Sequence, residues 1–139
     1  MVWQKLQPQP EKIIPEISGD VWVFVNTAPE DKGLASEIQV ILDAAGIGYS
    51  LPMDIDPTTQ PEEIREDLEL NLLECDALIV PYFKSPQAKV RQYLMMCRRL
   101  QSRRSHPFKI IAVFDKPSPD KSALNMKLPG MKILECSTL

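Results

Sequence analysis

Few side chains of this 139-residue sequence are equipped for covalent chemistry: one His, three Cys, and 19 carboxylates set against 16 lysines and arginines. His106 stands between Ser105 and Pro107. As a general base it would need a nucleophile and an orienting carboxylate beside it, and its place just before a strand reads instead as an exposed loop histidine. Cys75, Cys97 and Cys136 show no CxxC or Cys/His spacing, which argues against a zinc site and a disulfide scaffold and for a reducing compartment. Cys75 and Cys97 fall on apolar helical stripes, where a thiol packs as a small hydrophobe and does not become a thiolate. The five glycines, at 19, 33, 46, 48 and 130, form neither GxGxxG nor GxxxxGK(S/T). A dinucleotide Rossmann site and a phosphate-binding P-loop are therefore excluded, and no metal site is expected.

The elements that must position these groups follow from apolar spacing. VWVFV (21–25) is a continuous apolar run suited to a strand buried on both faces. In 34–46, Leu34, Ile38, Ile41 and Leu42 recur at helical spacing and Gly46 stands at the C-cap. A second strand is expected over 47–53. A second helix follows, burying Ile64, Leu68, Leu72 and Cys75, with Pro61 near its first turn. DALIVPYF (76–83) predicts a third strand, and 87–104 a third helix with Val90, Leu94, Cys97 and Leu100 inward. Residues 108–115 and 131–136 predict the last two strands, joined by a Pro-rich loop with at most one helical turn. Strands alternating with helices imply a flavodoxin-like, doubly wound α/β domain: five mainly parallel strands with helices on both faces, and ligands outside the carboxyl ends of the strands. A phosphoacceptor receiver has this order of elements but requires an Asp at the end of the third strand. That strand ends Pro81-Tyr82-Phe83-Lys84, so the receiver is excluded.

The chain length fits one domain. Residues 1–19, interrupted by Pro8, Pro10 and Pro15, read as a linker or N-terminal arm, and 20–139 as the folded domain. No apolar run reaches the roughly 18 residues of a membrane span, and no signal-peptide layout opens the chain. A cytoplasmic protein is expected.

Within that frame, VWVFVNTAPEDKGLASEIQVIL, GIGYSLPM and IREDLELNLLECDALIVPY, with KVRQYL and the tail KLPGMKILEC, together resemble a bacterial Toll/interleukin-1 receptor (TIR) domain. The resemblance spans residues 19–136. It implies one of two activities. Many TIR domains signal by assembling with one another or with adaptor TIR domains. Others hydrolyse or cyclise NAD, using a Glu four residues after a Trp in the third helix to stabilise cationic character on the ribose, work that suits a carboxylate. On this sequence the Trp position falls on Lys89 and the Glu position on Tyr93; a one-residue slip places Gln92 there, and no Glu lies between Glu74 and Glu135. The resemblance therefore implies a protein-interaction and assembly module of a bacterial signalling or defence protein, fused to other domains and needing no cofactor. The alternative is an NAD glycohydrolase that takes its acid from Asp54 or Asp56, with NAD as substrate. Asn26 and Thr27, at the end of the first strand, would be either what remains of a pocket or turn-forming residues that satisfy backbone groups.

Charge patterning agrees with the contact branch. Between 54 and 76 stand nine acids, among them Asp54, Asp56, Glu62 and Glu63, and one base; between 84 and 109 stand eight bases, among them Arg91, Arg98 and Arg99, and no acid. Such patches on one molecule are complementary between copies, and a heterologous contact of this kind can propagate. The same charges also suit helix ends and solvated faces. A sequence pI near 5.2 and a basic stripe without interleaved aromatics argue against nucleic acid as the partner.

Overall fold

A computed structural model of the chain describes residues 20–135. The N-terminal arm, Cys136 and the end of the tail lie outside the described residues. The elements are β1 (Trp22–Val25), a 3-10 turn (Pro29–Asp31), α1 (Lys32–Ala44), β2 (Gly48–Ser50), α2 (Pro61–Glu74), β3 (Ala77–Tyr82), α3 (Gln87–Leu100), a second 3-10 turn (Gln101–Arg103), β4 (Ile110–Asp115) and β5 (Met131–Glu135). All neighbouring strands pair in parallel, in the order β2-β1-β3-β4-β5. This is the flavodoxin-like α/β arrangement expected from the alternation of elements. Among the described residues no helix is long and apolar enough to cross a membrane.

Strand side chains alternate between two apolar layers. Val23, Val25, Ala77, Ile79 and Ala112 pack with Leu34, Ile38 and Leu42 of α1; Phe24, Leu78, Val80 and Val113 pack with Leu72 of α2 and with Leu94 and Cys97 of α3. Helices thus cover both faces of the sheet. The connection 116–130 contains no helix, within the limit of one turn expected for it. It crosses as irregular chain, with Leu124 and Leu128 buried beside α3's layer. Asn125 and Gly130 take left-handed backbone there, which helical geometry forbids.

The helix ends follow local chemistry. Gly46 has φ +70° and closes α1 in a Schellman turn: Ile47 N donates to Leu42 O at 3.0 Å and Gly46 N to Asp43 O at 3.1 Å. Gln60 and Glu63 form a capping box on α2, with Pro61 at its first position. Several elements are shorter than expected, β3 and β4 by two residues each. The second strand pairs only over Gly48–Ser50, and α3 tightens into a 3-10 turn after Leu100. Trp22 is 47% exposed, so β1 is not buried on both faces throughout. Its ring lies along Gly48, where a Cβ would come within 2.7 Å of it. Pro81 sits in a central strand without breaking a ladder. Ile79 O accepts from Asn26 N at 2.9 Å, so by parity the absent Pro81 N–H faces the β1 side, beyond the last β1 partner.

Two polar side chains fasten these elements. Arg104 donates to Leu72 O and Cys75 O, each at 2.6 Å, and its guanidinium stacks 3.7 Å from the Phe108 ring centroid. It therefore satisfies the last carbonyls of α2 and is not part of a free basic face. Asp31, buried at the start of α1, accepts from Phe83 N at 3.0 Å, Lys84 N at 2.6 Å, Ser85 N at 3.1 Å and the Ser85 hydroxyl. Burial pushes its carboxyl pKa up, but the Ser85 hydroxyl and the three backbone N–H groups together hold it below the ordinary 3.8.

Asp31→Ala would leave those donors unmatched and should cost about 3 kcal/mol or more in urea denaturation. Because the folded pKa is depressed, the stabilisation from Asp31 is complete above the unfolded chain's value of 3.8 and is lost as the pH falls through the lower folded value. The stability gap between wild type and the Ala variant should therefore close in strong acid.

Candidate functional site

At the carboxyl ends of β1 and β2, where open α/β sheets hold their ligands, lies a cleft of about 260 Å³. Its base is Asn26 and Thr27. It is lined further by Lys32, Ser36 and Gln39 of α1, Ile64 and Leu68 of α2, Tyr93 of α3, and Leu51, Met53 and Ile55 of the β2–α2 loop. α2 buries fewer positions than its stripe implies. Leu72 and Cys75 are buried, whereas Ile64 and Leu68 are half-buried because they face this space.

The β2–α2 loop is held by a relay of hydrogen bonds. Trp22 Nε1 donates to Ser50 Oγ at 3.3 Å, the Ser50 hydroxyl donates to Asn71 Oδ1 at 2.7 Å, and Asn71 Nδ2 donates to Asp67 O at 2.9 Å and Oδ1 at 3.3 Å. The remaining oxygen of Asp67 accepts from Met53 N at 2.9 Å. This carboxylate lines the cleft but is engaged in positioning the loop.

The structure separates the residues singled out from the sequence. Asn26 and Thr27 do come together in the cleft, with different roles. Thr27 acts as a turn residue, its hydroxyl donating to Ala28 O at 2.9 Å. Asn26 does not: its residue is 1% exposed and its Nδ2 has no hydrogen-bond partner, a state that ordinarily costs about 1–3 kcal/mol. Tyr93 also lines the cleft, half-buried. Burial first, and then the nearby charge of Glu30, push its hydroxyl pKa above 10.0, so it is neutral at physiological pH and carries no negative charge into the site. Lys89 points elsewhere, with its Nζ 3.6 Å from Glu30. Of the two candidate acids, Asp54 lines the cleft and is exposed. Asp56 is not part of the lining. Its carboxylate accepts from Thr58 N, the Thr58 hydroxyl and the Thr59 hydroxyl, which hold its pKa below the ordinary 3.8.

The charged blocks lie on the neighbouring helices α2 and α3. Glu62 and Glu63 are exposed in the first turn of α2, though Glu63 also accepts from Gln60 N at 3.3 Å. Arg98 and Arg99 are exposed in the last turn of α3. One ion pair joins the blocks internally, Arg103 to Glu69 at 3.9 Å. Arg91 and Arg99 line an open groove of about 830 Å³ along α3 together with Met95, Met96 and Met126. The methionines were not singled out from the sequence; only the packing of 116–130 beside α3 brings Met126 to the other two.

The two cysteines among the described residues are inert. Burial pushes the Cys75 thiol up to about 11 and the Cys97 thiol up to about 12, so neither is a thiolate at neutral pH. Among the described residues no group of three or more His, Cys, Asp or Glu is placed to hold a metal ion.

Asp67→Ala should free the loop while leaving the sheet intact. The Met53 amide is expected to exchange with solvent much faster while β3 amides keep their protection, with about 1–2 kcal/mol lost overall; hydrogen exchange read residue by residue checks this.

No known family model matches the chain, and no curated protein sequence matches it. The fold and the chemistry of the cleft and groove therefore carry the functional reading.

Proposed function

We propose that this is a TIR-like interaction and assembly module of a bacterial signalling or defence protein, acting in the cytoplasm by contact with copies of itself or with other TIR domains, without hydrolysing NAD. The observation that carries this reading is Tyr93. It stands in the cleft at the position where the resemblance requires a Glu, and it is neutral. Stabilising positive charge on a ribose needs a negative group beside it, and Asp67 is committed to Met53 N and Asn71.

In the proposed contact, the acidic surface around Asp54, Asp56 and Glu62 of one copy meets the basic α3 surface of the next. Arg91, Arg98 and Arg99 supply the charge, and Met95, 43% exposed, supplies apolar area. Ile55, 59% exposed between Asp54 and Asp56, is an apolar side chain framed by the charges that would orient it. The two surfaces differ, so the contact is heterologous and can repeat. Fusion to further domains would couple that repeat to a signal. The runner-up is NAD cleavage with Asp54 as the acid, favoured by its place in the cleft lining.

Two measurements test the reading. Concentrated protein incubated with NAD should release no nicotinamide, and steady turnover abolished by Asp54→Asn would establish the runner-up instead. Tyr93→Glu should gain measurable release if the position is the family's catalytic one. Self-association followed by sedimentation should weaken between about 50 and 500 mM salt, and Arg98→Glu with Arg99→Glu should weaken it by about tenfold or more. A chain that stays monomeric at high concentration and low salt would refute self-assembly.

A further inference from the structure

Contact through α3 and the acidic loop leaves Asn26 unexplained. Buried side-chain donors in folded proteins nearly always find an acceptor, and the neighbouring buried polar groups obey that rule. Asp31 takes four donors, and Ser85 gives its hydroxyl to Asp31. Asn26 Nδ2 is the exception among the described residues. An Asn at this place is not required by the strand. The backbone bond from Asn26 N to Ile79 O could be made by any residue with an N–H, and an apolar side chain would remove the penalty. Asn26 belongs to the cleft wall; its orphan nitrogen has almost no accessible surface of its own, and a rotation of the side-chain amide would bring it to an acceptor on a molecule that enters the cleft.

The rest of the lining states what that molecule is. Leu51, Ile55, Ile64 and Leu68 present apolar surface, and Leu51 and Ile55 are exposed. Covering them favours an apolar body. The charged groups of the lining are Lys32 against Asp54 and Asp67, with no Arg, which disfavours an anion and gives a phosphate no clamp. A volume of about 260 Å³ lies just under the roughly 300–1,000 Å³ of drug-sized sites, so the molecule is compact. We infer that the cleft binds a small uncharged ligand with an apolar body and one carbonyl oxygen, the oxygen accepting from Asn26 Nδ2 and the body covering Leu51, Ile55, Ile64 and Leu68. This goes beyond the contact reading and does not depend on it.

A matched series of probes isolates the head group: 2-heptanone and hexanamide carry a neutral carbonyl, hexanoate an anion, hexylamine a cation with no carbonyl, and NAD serves as the nucleotide. Each is titrated into the full chain at a concentration where it is monomeric, following nitrogen–proton correlation spectra. The ketone and the amide should saturably shift the Asn26 side-chain amide and the backbone amides of Thr27, Met53 and Ile55. Hexanoate and hexylamine should bind at least about tenfold more weakly. Asn26→Leu, close in size and without the donor, should raise the melting temperature and weaken 2-heptanone binding by about tenfold. Ser36→Phe, which fills the cleft from an exposed helix position, should abolish binding with the fold retained. The inference is overturned if neither carbonyl probe saturates up to about 10 mM, if hexylamine or NAD binds as well as the ketone, or if Asn26→Leu binds the ketone as wild type does. None of these readouts involves association, so a failure here leaves the contact reading standing and a monomeric chain leaves this inference standing, whereas NAD turnover through Asp54 would count against both.

Discussion

The carboxylate of Asp31 joins two turns that the sheet alone leaves independent. β1 and β3 pair only as far as Val25 and Ile79; beyond that point the chain on either side is free to diverge. Asp31, at the start of α1, gathers the N–H groups of Phe83, Lys84 and Ser85, three consecutive donors that no strand or helix satisfies. A buried charge is tolerated only when hydrogen bonding replaces its lost hydration, and these three N–H groups together with the Ser85 hydroxyl do that. The consequence reaches the cleft from both sides. The turn that carries Asn26 and Thr27 and the turn that leads into α3, and so to Tyr93, are held in one spatial relation.

The carboxyl edge of the sheet is finished differently at its two ends. Over β3 and β4, Lys121 folds back to donate to Tyr82 O at 3.0 Å, Lys116 O at 2.7 Å and Asp115, with its ammonium 4.2 Å from the Tyr82 ring centroid. The Tyr82 hydroxyl donates in turn to Ser122 O at 2.5 Å and Gln87 Nε2 to Ala123 O at 2.6 Å. Polar groups there are matched to one another by the irregular connection that replaces a helix. Over β1 and β2 the relay from Trp22 through Ser50, Asn71 and Asp67 to Met53 holds a loop across the edge without filling the space beneath it. A cleft with one unmatched donor remains at that end.

The acidic and basic blocks look symmetric along the chain but are used asymmetrically in space. Arg104 caps α2 internally, Arg103 reaches Glu69, Lys89 reaches Glu30, and Glu63 caps its own helix. Exposed ion pairs of this kind contribute little to stability. The charge left for a partner is concentrated on fewer residues than the tally of nine acids and eight bases implies, chiefly Arg91, Arg98 and Arg99 on one side and Asp54, Asp56 and Glu62 on the other.

Apolar periodicity alone determined the order of elements, the parallel sheet, and the inward faces of α1 and α3, because burying a face at a period of 2 or 3.6 is a local property of the sequence. It also placed Asn26 and Thr27 at the end of β1. The ends of β2 and α3 are not legible in hydropathy, because they are set by where hydrogen-bond partners run out. Tertiary structure alone decided that Asp31 rather than Asn26 is the satisfied polar group of the first turn, that Asp56 closes a local turn while Asp54 reaches the cleft, and that three methionines from two segments share one groove. The Asp31 bonds join residues 52 to 54 apart in the chain, and Met126 meets Met95 and Met96 only through the packing of 116–130 beside α3, so neither is a local property of the sequence. A residue's type states what bonds it can make, but only the fold supplies, or withholds, the partner.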